Sequence, residues 1–197
     1  MRFYFVRHGE TAWNKSRIFQ GHTDIPLNET GIEQVKRSAE YLADKKIEAV
    51  YSSDLTRAVQ TGDIIARLHN LQLIKDSRLR EINFGKWEGL NFNEISEKYK
   101  EDLDAWVNDI INTRPTEGGM VKEVLRDLLS FLNDVVLLGY SEVAVATHGG
   151  AIKTLIWHAR GGQVELWEQE VSLGSITILD YEHNSSRIAL VKANIIT

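Results

Sequence analysis

The chain contains no cysteine, which excludes a disulfide frame, a thiolate metal site and a thiol nucleophile. It has no surplus of positive charge either. Lys and Arg number 23 against 28 Asp and Glu, and no Lys/Arg run supplies the basic face that counterion release on nucleic acid requires. Any anionic ligand must therefore be met locally. Long apolar runs are also missing: only Phe3 to Val6 precede Arg7, far short of a signal-peptide core or a membrane span. No Gly-x-Ser-x-Gly elbow, Walker loop or Gly-x-Gly-x-x-Gly turn occurs, so serine hydrolase chemistry and the common nucleotide sites are unsupported. These absences set the expectation of a cytoplasmic protein with a small-molecule partner, no nucleic acid and no membrane.

What is present is organised around two histidines. Each closes a short apolar run and is followed by glycine, in Phe3-Tyr4-Phe5-Val6-Arg7-His8-Gly9 and in Val143-Ala144-Val145-Ala146-Thr147-His148-Gly149-Gly150. Such runs read as buried parallel strands that deliver a side chain to the carboxyl edge of a sheet, where open α/β folds place their ligands. At 197 residues and 43% hydrophobic content, the chain suits one domain, residues 1–197. Capping-box spacing at Thr30-Gly31-Ile32-Glu33 opens a helix to about Lys45, and Ile47 to Tyr51 reads as a strand. Ser52-Ser53-Asp54 can then cap a helix carrying Leu55, Ala58, Val59, Ile65 and Leu68. Leu73 to Lys75 reads as a short strand, and about 84–119 as an excursion, helical from Asn93 to Ile111. Val121 to Leu138 has helical periodicity, Glu142 to Thr147 is the second histidine-bearing strand, and a helix follows from Gly150. Ser175 to Tyr181 and Arg187 to Asn194 look like a closing hairpin around Glu182-His183-Asn184-Ser185-Ser186. The fold class is α/β: a three-layer α/β/α sandwich with a mostly parallel sheet and a C-terminal hairpin.

The predicted strand ends bring together Arg7, His8, His148 and, in the first turn of a helix, Arg57. A guanidinium fork matches phosphate oxygens, and a helix start favours an anion, so this set describes a phosphate monoester pocket. A neutral imidazole can attack phosphorus while preorganised cations hold the charge of the transferring group, without a metal or other cofactor. The leaving alkoxide needs a proton, and Glu81, between the apolar neighbours of Leu79-Arg80-Glu81-Ile82, is the candidate donor.

Arg7-His8-Gly9-Glu10-Thr11 with Trp13-Asn14, Ser52-Ser53-Asp54-Leu55 with Arg57-Ala58 and Gln60-Thr61, Glu81 with Phe84-Gly85 and Trp87-Glu88-Gly89, and His148-Gly149-Gly150 together resemble the histidine phosphatase superfamily, the phosphoglycerate mutase-like proteins. The resemblance spans nearly the whole chain. It implies that His8 is the phosphorylated nucleophile, that Arg7, Arg57 and His148 are phosphate ligands, and that Glu81 is the proton donor. It also implies that Asn14, Gln20, Gly21 and Gly149 line the phosphate site. Mutases of the family carry Arg and Tyr shortly after the acid, where Ile82 and Phe84 stand here, so a phosphatase is favoured over a mutase. The loop Arg114-Pro115-Thr116-Glu117-Gly118-Gly119 resembles α-ribazole phosphatases of cobalamin biosynthesis and their broad-specificity relatives, although Met120-Val121 replace the usual Glu-Ser.

Plainer roles stand beside these. Arg57 can pair with Asp54 or Asp63, and Glu81 with Arg78 or Arg80. Phe84, Trp87, Phe92, Tyr99 and Trp106 can form a satellite core rather than line a pocket. His22, His69, His158 and His183 read as surface or amphipathic-helix residues. A two-histidine metal site ranks low, because Arg7 and Arg57 would repel a cation between them. A mutase and a non-catalytic phospho-ligand module remain alternatives, and Leu166, Trp167 and Val171 leave monomer and homodimer equally open.

Overall fold

The computed structural model describes residues 1–185 and 187–197, so Ser186, within the expected hairpin turn, lies outside the described residues. In chain order the main elements are β1 (Arg2–Arg7), α1 (Ala12–Lys15), α2 (Glu29–Leu42), β2 (Ala49–Ser52), α3 (Thr56–Leu68), β3 (Leu73–Lys75), α4 (Phe92–Lys98) and α5 (Lys100–Asn108). They continue with α6 (Val121–Val136), β4 (Glu142–Thr147), α7 (Gly149–Ala159), β5 (Ile176–Glu182) and β6 (Arg187–Ile195). The strands form one sheet in the order β3-β2-β4-β1-β5-β6. The first four run parallel, and β5 and β6 close the edge as an antiparallel hairpin. No helix among the described residues is long and apolar enough to cross a membrane.

Strand periodicity explains the layers. Phe3, Phe5, Val143 and Val145 pack with Phe131 of α6 and Leu155 of α7 on one face. Their neighbours Tyr4, Val6, Val50 and Ala144 pack with Ala39 of α2 and Ile65 of α3 on the other. Because β1 is followed by helices on one face and β4 by α7 on the opposite face, the edge between them is the topological switch point of the sheet. The register pairs Arg7 with Thr147, so the two histidines leave adjacent strands at one level. The His8 amide donates to the Thr147 carbonyl at 2.9 Å, which fixes that level.

Several boundaries differ from the sequence expectation. The α2 cap is Asn28, whose side chain accepts from Gly31 N at 2.8 Å, not Thr30, and the helix stops at Leu42. Gly31 sits so close to the Glu10 backbone that a Cβ would lie 2.1 Å from its carbonyl oxygen, which anchors the first turn of α2 against the loop after β1. The cap of α3 is not supplied by residues 52–54. Asp24, from the loop after α1, accepts from both Thr56 N and Thr56 Oγ1 at 2.7 Å, while Asp54 pairs with Arg80. The excursion holds two helices broken at Tyr99, not one continuous helix. Its aromatic residues mostly build a third cluster, with Ile82, Phe84, Trp87, Trp106 and Leu166 buried together and Phe92 exposed.

Candidate active site

The end of β1 places Arg7 and His8 beside His148 at the end of β4, with the imidazole centroids 5.3 Å apart and edge to face. His8 Nδ1 lies 2.8 Å from the Gly9 carbonyl oxygen. A carbonyl only accepts, so Nδ1 carries the proton and Nε2 keeps the lone pair. Burial, reinforced by Arg57 and then Arg7, holds the His8 imidazole well below its ordinary pKa. Burial followed by Arg57 does the same to His148. Both rings are therefore neutral near pH 7.

The guanidiniums are anchored by carbonyl oxygens rather than carboxylates. Arg57, fully buried in the first turn of α3, donates to the carbonyls of Gly21 at 2.6 Å and Thr23 at 2.9 Å. Arg7 donates to the Val171 carbonyl at 2.7 Å. Burial pulls both below the ordinary arginine value, although a guanidinium remains charged at any ordinary pH. Arg7 Nε, Arg57 Nε and both nitrogens of His148 are buried without a protein partner among the described residues. Buried polar atoms of this kind normally find a partner; Arg7 and Arg57 line one cleft with His8, and His148 stands directly beside His8. Such an arrangement suits an anion with several oxygens.

Glu81 comes to the same cleft from the segment after the turn Ser77–Leu79, which Thr147 Oγ1 ties to β4 through the Leu79 carbonyl at 2.7 Å. Its two carboxyl oxygens accept from Ile82 N and Gly150 N, each at 2.9 Å. Neither Arg78 nor Arg80 pairs with it: Arg78 binds Asp76 and Asp134, and Arg80 binds Asp54. The glycines after His148 are required by close approach, since a Cβ on Gly150 would lie 2.3 Å from Glu81 Oε1 and one on Gly149 3.0 Å from Arg7 Nε. Asn14, Gln20, Gly21 and Gly149 line the same cleft, which measures about 300 Å³. Gln20 Oε1 accepts from Thr11 Oγ1 at 3.0 Å, leaving the amide N–H groups of Gln20 as its remaining donors.

Every residue singled out for the phosphate site is thus brought together. The sequence reading of His22 is corrected: its Nε2 donates to the Glu81 carbonyl at 2.8 Å, so it belongs to the framework of the site. Glu88 has a positioning role the sequence does not reveal. One oxygen accepts from His22 N and Phe84 N, and the other from Thr23 N at 2.9 Å and Thr23 Oγ1 at 2.6 Å. This single carboxylate joins the loop that grips Arg57 to the segment that bears Glu81. Of the aromatics expected as wall candidates, Phe84 reaches the cleft, joined by the unforeseen Phe19 and Trp167. Leu166 packs in the aromatic cluster and Val171 in the main core.

A parallel-sheet switch point bearing two neutral imidazoles, two buried guanidiniums and one carboxyl group defines a phosphate-handling α/β protein. The chain belongs to the histidine phosphatase superfamily (branch 1), whose sequence profile matches residues 3–194. Among curated relatives, phosphoglycerate mutase-like protein 4 of Arabidopsis thaliana is 38% identical over 159 residues, covering 79% of this chain and 69% of that one. Phosphoserine phosphatase 1 of Hydrogenobacter thermophilus is 29% identical over 197 residues, 99% and 92% of the two chains. The crystal structure of the α-ribazole phosphatase from Shigella flexneri superposes with a TM-score of 0.86 at 26% identity, covering 99% of this chain and 96% of that one. The protein is a phosphatase of the histidine phosphatase type.

Proposed function

We propose that the chain acts as one domain, a metal-independent phosphomonoesterase that works through a phosphohistidine. The lone pair of His8 Nε2 attacks phosphorus in line with the departing ester oxygen, and the P–O bond breaks as the N–P bond forms. Protonated Glu81 gives its proton to the departing alcohol. Arg7, Arg57 and His148 donate to the equatorial oxygens, where charge accumulates in the transition state. The Gly9 carbonyl, already holding Nδ1–H, stabilises the ring as it becomes cationic. In the second half-reaction the Glu81 carboxylate takes a proton from water, the water oxygen attacks phosphorus, and the N–P bond breaks to free inorganic phosphate and restore both residues.

The observation that carries this reading is the His8 environment: a neutral imidazole, its Nδ1 tied down, beside two buried guanidiniums that make no direct ion pair with a carboxylate among the described residues. Ile82 is fully buried and Phe84 packs in the aromatic cluster, so the positions at which family mutases hold a substrate carboxylate present apolar side chains here. That favours hydrolysis over mutase chemistry. α-Ribazole 5′-phosphate is a candidate substrate, supported by the Shigella flexneri neighbour and by the loop 114–119, which docks on the Glu81 segment through Gly119 N and the Asn83 carbonyl at 2.9 Å.

The test is release of inorganic phosphate, in EDTA, from p-nitrophenyl phosphate, α-ribazole 5′-phosphate, phosphoserine and 3-phosphoglycerate, with His8→Ala alongside. Hydrolysis that disappears in His8→Ala is the expected result. Undiminished turnover in that variant, strict dependence on an added divalent ion, isomerised product without free phosphate, or ligand binding without turnover would each overturn the reading.

A further inference from the structure

The phosphate end of the cleft uses Arg7 and Arg57, yet two more cations line its mouth. Lys153 lies three residues beyond Gly150 on α7, hence on the same helix face as the amide that holds Glu81. Its Nζ donates to the Trp167 carbonyl at 2.8 Å and stands 5.1 Å from the Trp167 ring centroid, which leaves two of its three N–H groups for another acceptor. Arg17 is the second cation. Its backbone is left-handed, with φ at 55°, an uncommon conformation for a side-chain-bearing residue and one that clusters at functional sites. Neither side chain has a carboxylate within ion-pair distance among the described residues. Glu81 is the sole carboxylate residue in the described cleft lining, against Arg7, Arg17, Arg57 and Lys153. A phosphoryl dianion balances the two buried guanidiniums and leaves the mouth positive.

We propose that Lys153 and Arg17, set against the apolar wall of Phe19, Phe84 and Trp167, form a subsite for a negative charge on the leaving group. The preferred substrates are then phosphate monoesters of an acidic alcohol with a small apolar or flat body, ahead of the uncharged alcohol of α-ribazole 5′-phosphate. The inference rests on the phosphatase reading above and adds what selects the alcohol. Burial, followed by repulsion from Arg7, keeps the Lys153 ammonium below its ordinary pKa, and the opposite charge of an anion at the subsite offsets that shift.

Two nearly isosteric esters test it: 4-carboxyphenyl phosphate and its uncharged analogue 4-carbamoylphenyl phosphate, compared as a ratio of kcat/KM so that any loss common to both cancels. The expected wild-type ratio is about tenfold or more in favour of the carboxylate, the scale of a hydrogen-bonded charge pair. Lys153→Met and Arg17→Met each lower the ratio several-fold, and the double variant brings it near unity. Independently of any variant, raising the ionic strength lowers the wild-type ratio, because an open cleft mouth is screened. A wild-type ratio near unity with both esters hydrolysed, or a high ratio insensitive to salt and to both substitutions, overturns the subsite and leaves the phosphatase reading intact. Failure to hydrolyse either ester or p-nitrophenyl phosphate removes both.

Discussion

Gly150→Ala should separate the proton-transfer role of Glu81 from the phosphate-holding role of the rest of the site. The added methyl would lie 2.3 Å from Glu81 Oε1 and 2.9 Å from Ile82 Cδ1, where ordinary contact begins at 3.4 Å. The carboxyl must therefore retreat by about 1 Å, and its bond from Gly150 N is lengthened or lost. Overpacking of this kind costs about 1–3 kcal/mol of stability, a loss a folded domain of this size normally survives. The effect on chemistry is larger, since a 1 Å misplacement of a reacting group is worth about 100-fold. The loss should depend on the leaving group. Nitrophenolate departs without a proton, whereas an alkoxide does not. We expect kcat/KM for phosphoserine to fall about 100-fold and that for p-nitrophenyl phosphate to fall far less. Gly149→Ala, which presses on Arg7 rather than Glu81, should depress both esters alike. If folded Gly150→Ala keeps its activity on phosphoserine, or loses both activities equally, Glu81 is not the proton donor.

Acidification should destabilise the protein in a definite window. His8 and His148 have folded values well below the unfolded value of about 6.5, so below that pH the unfolded chain binds protons that the folded one refuses. Stability is then complete above about pH 6.5 and falls beneath it, by about 1.4 kcal/mol per pH unit for each histidine, and urea titrations at pH 7 and 5.5 should show a shallower drop in His148→Gln. Inorganic phosphate or vanadate, fitting the orphaned donors of Arg7, Arg57 and His148, should raise Tm by about 5–10 °C at 100 times its Kd; an unchanged Tm would contradict the anion site. Glu88→Gln replaces an acceptor of four hydrogen bonds with a group of half that capacity, so the Arg57 loop should loosen and KM for p-nitrophenyl phosphate should rise about tenfold with a lower Tm. An unchanged KM would show that Arg57 is placed without it.

The pair of histidines was legible because each sits where an apolar strand meets glycine, and the parallel register of β1 and β4 does the rest. Arg57 was legible from its place at a helix start, although the cap comes from Asp24, 32 positions before the Thr56 it caps, which no local pattern marks. Glu88 and His22 act through contacts between loops more than 50 residues apart, which neither periodicity nor capping spacing encodes. The break at Tyr99 escaped for a related reason: the segments on either side are both good helix formers, and no local pattern marks the non-helical backbone of Tyr99, across which Ile95 of α4 and Leu103 of α5 both reach the aromatic cluster.

His8 and the guanidiniums hang from the central sheet and the helix and loops beside it, whereas the wall proposed to meet the alcohol leans on a separate aromatic cluster built on residues 82–121 and Leu166. The two halves are joined by the Glu81 carboxyl and the Glu88 clamp, and Val124 and Trp157 pack between them. On the proposed mechanism, such a division would let drift in the aromatic half change which alcohol is accepted while the half that holds phosphate stands still. A library confined to Phe19, Phe84, Lys153 and Trp167 should therefore yield changed selectivity far more often than dead protein.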